Sequence, residues 1–414
     1  MKILHFNYSD QLGGSGVAIM RLHEALKKYH KIDSLIKVNE KSSSANDVLG
    51  PLNSLDMSLN LLKTRFSYQL KKFSKIDSSA THSVALLPSS TKKIIKNIDP
   101  DIVHLHWINN EMMSIREIGQ IQKPLLWTFV DMWPVCGSEH YTFEDNFLNG
   151  YNDKSINNSQ RFDLNKWVWK RKKKHWVNNK FKIVCISNWL TNLVQKSLLF
   201  KDFDVSTIPP CIEEKKWTPL DKNASRKILE IDENIPVLLF SAANGTKEKR
   251  KGFDFLLKIL DDPFYINNKC KLIIIGKLDQ EHKKKLKIDY INFADNYSNN
   301  SLLLRILYSS SDLILAPDIL ATFNQVVLEA NSCQTPAISF SNTGTSDIIE
   351  HKNTGYLSKF NDAEDLNNGI KWCLKEIKNN NYLGINARER VKNLFSSEKI
   401  SSRYTSVYDE LIKK

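Results

Sequence analysis

The chain has 414 residues, 41% of them hydrophobic and 25% charged, which is enough for two domains with separate cores. A mean hydropathy of −0.38 is ordinary for a soluble protein, and no apolar run approaches the length a helix needs to span a bilayer. Lys and Arg outnumber Asp and Glu by 59 to 46, a net charge of +13, so the surface suits anions: nucleic acid, anionic lipid head groups or phosphorylated small molecules.

The opening MKILHFNY turns polar too early for a signal peptide and reads as a first buried strand, so the chain is expected in the cytosol. Six scattered cysteines without a CxxC pair fit free thiols in a reducing compartment. Strands are expected at 3–7, 34–38, 102–107, 124–131, 182–187 and 205–210, with helices at 17–28, 55–73, 91–98, 112–121 and 162–177 between them. The rhythm restarts with strands at 237–242, 271–276, 312–317 and 337–341 and helices at 253–260, 301–309, 323–333 and 363–378. A final helix spans about 398–412. This alternation predicts mostly parallel sheets covered on both faces. The expected division is a first domain over 1–204, a linker over 205–222, a second domain over 223–395, and a C-terminal helix (396–414) returning to the first domain. An Asn- and Ser-rich stretch at 151–160 reads as a loop.

Several segments carry chemistry. Gly13-Gly14-Ser15-Gly16 follows the first strand and opens a helix, where glycines let a diphosphate approach backbone N–H groups. A plain strand-to-helix turn has the same appearance, and the pattern is not GxGxxG. Lys247, Lys249, Arg250 and Lys251 stand between a strand end and a helix start, where cations neutralise phosphates. In DLILAPDILATFNQVVLEA (312–330), a strand delivers a polar loop and a helix N-terminus to the carboxyl edge of a sheet, where open α/β sheets bind ligands. His106 stands at a strand end, and a structural histidine fits as well. Trp167, Trp169 and Trp176 interleave with Lys170, Arg171, Lys172, Lys173 and Lys174. Such a helix suits an anionic membrane interface, or its tryptophans pack into the domain. The stripe Leu62, Phe66, Leu70 and Phe73, with Arg65, Lys71, Lys72 and Lys75 around it, reads as a core-facing amphipathic helix.

Taken together, these segments resemble glycosyltransferase family 4. Glu329 matches the second Glu of its Glu-x7-Glu signature, while Ala321 occupies the place of the first. Lys251-Gly252 matches the family's Lys-Gly site. Asp131, Met132, Trp133, His140 and Tyr141 match a subgroup with a His-Asp-Met-Trp strand end, Val130 replacing the histidine. The resemblance implies the GT-B fold: α/β, with two doubly wound Rossmann-like domains facing across a cleft. It further implies a retaining hexosyltransferase that uses a nucleotide-sugar donor, UDP-sugar before GDP-sugar, without metal or other cofactor. The implied acceptor is an oligosaccharide or lipid-linked chain of a bacterial surface polysaccharide, O-antigen or capsule, met at the inner face of the cell membrane.

By the same resemblance Lys251 and Arg250, with the Gly14 loop, stabilise the leaving diphosphate. Backbone N–H groups across Thr322, Phe323, Asn324 and Gln325 bind donor sugar or phosphate, and Glu329 takes the ribose hydroxyls. Gly13, His106 and Asp131 belong to the acceptor or sugar side. Ala321 leaves three explanations: a donor that does not need the carboxylate, a weakened or inactive relative that binds nucleotide-sugar, or a deliberate substitution. The strand-end position of Lys251 favours small phosphates over nucleic acid as a partner.

Overall fold

The computed structural model describes residues 1–51, 53–72, 74, 81–152, 162–294 and 300–413. It divides into two compact units, Met1–Cys211 with Ile400–Lys414, and Ile212–Lys399. The expected loop at 151–160 lies almost wholly outside the described residues, as do Phe73 and Lys75.

The first unit is built on seven parallel strands: β1 (Lys2–Phe6), β2 (Asp33–Lys37), β3 (Val48–Leu49), β4 (Ile102–Leu105), β5 (Leu125–Phe129), β6 (Lys182–Cys185) and β7 (Val205–Thr207). Their order is β3-β2-β1-β4-β5-β6-β7. Runs such as LLWTF and IVHL are buried at every position, as a sheet covered on both faces requires. β1 pairs with both β2 and β4, so the strand order reverses there and the chain leaves the two carboxyl ends in opposite directions. That is where open α/β sheets form a ligand crevice. On one face, Leu22 and Leu26 of the helix Gly13–His30 pack with Ile3 and Ile102. The helix Ser397–Lys413 closes the same cluster with Ile400, Tyr404, Val407 and Tyr408.

The second unit carries six parallel strands: β8 (Val237–Ser241), β9 (Lys271–Ile275), β10 (Asp289–Phe293), β11 (Leu313–Ala316), β12 (Ala337–Phe340) and β13 (Gly355–Ser358). Their order, β10-β9-β8-β11-β12-β13, repeats that of the first sheet and reverses between β8 and β11. Alternate residues serve opposite cores: Leu238 and Phe240 join one cluster, Val237 and Leu239 the other, as the pleat dictates.

Differences from the expected elements have local causes. The helix expected at 112–121 shrinks to Ile115–Ile118, begun by a capping box between Ser114 and Glu117. The helix expected from Phe323 begins at Gln325, because the Asn324 side chain caps it by accepting from the Val327 N–H. The segment expected as a linker is shared: Val205–Thr207 closes the first sheet, and Lys222–Ile228 is a helix of the second unit. β3, β10 and β13 were not expected.

Candidate functional site

In the second unit the loops after β8, β11 and β12 meet at the carboxyl edge. The loop after β8 ends in a tight 3₁₀ turn, Lys249–Lys251, and Gly252 then opens the helix Phe253–Ile259. Gly252 holds φ at +69°, and a Cβ there would stand 1.9 Å from the Pro317 carbonyl oxygen. Only glycine lets the two loops approach so closely. The Ile319 N–H donates to the Arg250 carbonyl at 2.9 Å. Lys251 Nζ reaches Asp318 Oδ1 at 2.9 Å, while Asn324 Nδ2 donates to Asp318 Oδ2 at 2.7 Å. Asp318, 1% exposed, thus gathers a lysine and an amide where the strand order reverses.

The remaining candidates of this unit lie close in sequence and differ in surroundings. Arg250 pairs with Glu248 at 2.5 Å, whereas Lys247 turns to Asp279 at 3.0 Å. Ala321 is buried and its carbonyl accepts from the Gly344 N–H at 2.7 Å, so the turn after β12 backs the loop. Thr322 is buried. Phe323 is partly buried against the apolar core, its ring 6.3 Å from that of Phe395. Gln325 is the first residue of the eight-residue helix Gln325–Ser332. Glu329, one turn along, is buried and accepts from the Tyr308 hydroxyl at 3.0 Å.

In the first unit, Gly13 (φ +69°) and Gly14 begin the helix Gly13–His30 in the open, with no carboxylate in its first turn. Gly16 is the tight position: a Cβ there would lie 3.0 Å from the Gln11 nitrogen and 3.1 Å from Ser9 Oγ. His106 is one of three clustered imidazoles. His5 and His104 are neighbours in register on β1 and β4, and His106 follows two residues later on the same face. His5 Nδ1 and His106 Nε2 are 3.1 Å apart. Burial pushes all three below the usual histidine range, His106 to about 3, so each ring is neutral. One nitrogen from each lies within 4.8 Å of the others, a spacing from which a metal ion could be held after adjustment. His104 is otherwise occupied, bonding Tyr408 Oη and Thr128 Oγ1 at 2.8 Å each.

Asp131 is enclosed. Its Oδ2 accepts from Trp107 Nε1 and lies 2.7 Å from His140 Nδ1, and its Oδ1 accepts from the Trp133 N–H at 3.0 Å. His140 continues to Ser83 Oγ at 2.9 Å. Asp131 therefore braces the turn after β5. The reading of the helix Leu164–Trp176 as a membrane-facing stripe is corrected: Trp169 and Trp176 are buried and Lys172 is fully enclosed. Lys172 Nζ donates to the carbonyls of Trp133, Cys136 and Gly137 and lies over the Trp133 ring. Burial lowers its pKa to about 7. Arg171 donates to the carbonyls of Val84 and Ala85. Only Lys170, Lys173 and Lys174 of the run stand in solvent, and Trp167 is half-buried. All six cysteines are free and buried.

Asp318 and Gly344 escaped the sequence reading. The available signal for Asp318 was a carboxylate directly after an apolar strand and a proline. Gly344 gave none, since its need comes from the Thr322 carbonyl, 2.0 Å from where a Cβ would be.

Residues 221–390 match the family model of the glycosyl transferases group 1. The matched residues all lie within the second unit. Over 242 residues the chain is 27% identical to N-acetyl-alpha-D-glucosaminyl L-malate synthase of Bacillus anthracis, covering 56% of this chain and 60% of that protein. Over 150 residues it is 26% identical to the capsular polysaccharide biosynthesis glycosyltransferase CapM of Staphylococcus aureus, covering 35% and 39%. The chain thus spans at most three-fifths of these curated relatives. Among solved structures, Anabaena Alr3699/HepE in complex with UDP and glucose superposes with a TM-score of 0.65 at 14% identity, covering 99% of this chain and all of that one. The fold is therefore the two-domain Rossmann-like GT-B class.

Proposed function

We propose that the chain is a retaining glycosyltransferase that moves a hexose-type sugar from a UDP-sugar to a surface-polysaccharide acceptor of the O-antigen or capsule type, carried on lipid. The observation that carries this reading is the coincidence of the group 1 match with the edge where Lys251, Asp318 and Asn324 converge. The complexes of HepE with UDP and with UDP-glucose support the donor class, and the likeness to CapM supports the acceptor class.

In this mechanism the bond between the sugar C1 and the phosphate oxygen breaks while a bond from the acceptor oxygen to C1 forms on the same face. The acceptor proton passes to the leaving phosphate, so no carboxylate base is needed. Negative charge grows on the diphosphate, where fixed cations act most strongly. Lys251, aimed by Asp318, supplies the compensating positive charge with Arg250. Backbone N–H groups at Asn324 and Gln325 meet the donor, and Glu329 accepts from the ribose hydroxyls. Gly13 and Gly14 leave the first helix N-terminus open, Gly14 for the leaving diphosphate and Gly13 for the acceptor or sugar.

A second reading, a nucleotide-sugar binder without turnover, is favoured by Ala321 alone. Nucleotide release from UDP- and GDP-hexoses, with membrane extract as acceptor, separates the two. Release from a UDP-hexose with the anomeric configuration kept in the product supports transfer. Inversion would refute the retaining mechanism, and tight UDP binding without release would establish the second reading.

A further inference from the structure

The helix Ser54–Lys72 turns its apolar side chains outward, opposite to the core-facing stripe expected from its sequence. Met57, Leu59, Leu61, Leu62, Phe66 and Tyr68 are between 46 and 59% exposed. The side turned inward is mostly polar. Ser67 is buried and donates to Glu111 Oε1 at 2.8 Å, while Asp56, Asn60, Lys63 and Leu70 are half-buried. Positions 56, 60, 63, 67 and 70 recur every three or four residues and so form one stripe, four of its five members polar.

On the outer side, helical spacing sorts the apolar residues into two rows, Met57–Leu61–Tyr68 and Leu59–Leu62–Phe66. Exposed Arg65 and Lys72 fall between them, one above the other at an interval of seven. The helix's only carboxylate, Asp56, is on the inner stripe. Beyond the helix, Ser74 bridges to Phe162, which is 48% exposed and packs its ring on Trp167 at 5.7 Å.

Large apolar groups in water at this density mark a contact surface. Their arrangement selects the partner. Two rows flanking a line of cations form a broad arc rather than a seam for one neighbouring helix, and long basic side chains can keep their charges at head-group level while their stems lie along apolar surface. We propose that the helix Ser54–Lys72 docks the chain on an anionic lipid bilayer. The two rows enter the boundary between head groups and acyl chains, and Arg65 and Lys72 meet lipid phosphates. This inference rests on the helix alone and is independent of sugar transfer.

Flotation of the full chain with phosphatidylcholine vesicles, with and without phosphatidylglycerol, tests it. The wild-type chain should float with phosphatidylglycerol vesicles, and less as salt rises. Binding should fall about tenfold or more both in L61S/L62S/F66S and in R65E/K72E, because apolar insertion and charge act together. The substituted side chains are exposed, so the circular dichroism spectrum should not change. The charge-reversal pair keeps the test valid should the serine variant misfold. A wild-type chain that stays down with phosphatidylglycerol vesicles at low salt would overturn the proposal, as would a folded serine variant that floats equally well. Self-association of the wild type that the serine variant abolishes, without vesicle binding by either, would instead assign this face to a second copy of the chain.

Discussion

Replacing Gly252 by alanine should damage the second unit far more than replacing Gly13 damages the first, although both glycines hold φ at +69°. A left-handed backbone costs a non-glycine residue about 1–2 kcal/mol. At Gly13 nothing lies within 4 Å of the added Cβ, so G13A carries that cost alone. At Gly252 the Cβ would meet the Pro317 oxygen at 1.9 Å, where ordinary contact begins at 3.4 Å, so the loops after β8 and β11 must part by 3.4 − 1.9 = 1.5 Å. Overpacking of this kind adds about 1–3 kcal/mol, which brings G252A to about 2–5 kcal/mol against a typical total stability of about 5–15. The same separation stretches the hydrogen bond from Ile319 to Arg250 and draws Lys251 away from Asp318. Urea denaturation of each variant, compared with the parent transition of the same unit, measures the difference. Equal losses for G252A and G13A would refute the argument that Gly252 is required by the close approach of the two loops.

Lys251→Met leaves the buried Asp318 carboxylate without its cation and should cost about 2–3 kcal/mol by denaturant unfolding. K251M/D318N should recover most of it, since no charge is then stranded, and an additive double mutant would mean that the pair is not coupled. Acid should act through the histidine cluster. The His106 pKa falls to about 3 in the fold from an ordinary 6.5, so between those values the unfolded chain holds the extra proton. Stability is therefore full above pH about 6.5 and declines towards pH 3, by about 1.4 kcal/mol per pH unit for each such histidine. His5 and His104 act with the same sign. H106Q should flatten the measured slope by about one histidine's share, and an unchanged slope would contradict the assignment.

Much of the fold was legible because its central strands are short apolar runs, buried on both faces and bounded by turn residues, as LLWTF and KLIII show. The strands that escaped notice lie at or near sheet edges. Val48–Leu49 has two residues, and Asp289–Phe293 has no fully buried position, so neither carries a periodic signal. The helix Ser54–Lys72 shows a different limit. Periodicity identifies a helix but not which face turns inward, and here Ser67 and Glu111 fix the inner face through a contact 44 residues distant in sequence. The positions of Lys251 and Asn324 at strand ends followed from the βα rhythm. Their partnership with Asp318 did not, because it depends on β8 and β11 being neighbours, which sequence order conceals. Likewise the Trp- and Lys-rich helix suited a membrane interface as well as a packed one by sequence, yet the enclosure of Lys172 depends on three carbonyls from the segment after β5.

The most direct test of the central claim, a nucleotide-sugar site on the second sheet at the meeting of the loops after β8 and β11, is calorimetric titration of UDP into the wild-type chain and into K251M/D318N. The double variant leaves no stranded charge and so separates binding from folding. The account predicts that the wild type binds UDP and that the folded double variant loses most of that affinity. Equal affinity in both, or no UDP binding by the wild-type chain, would contradict it.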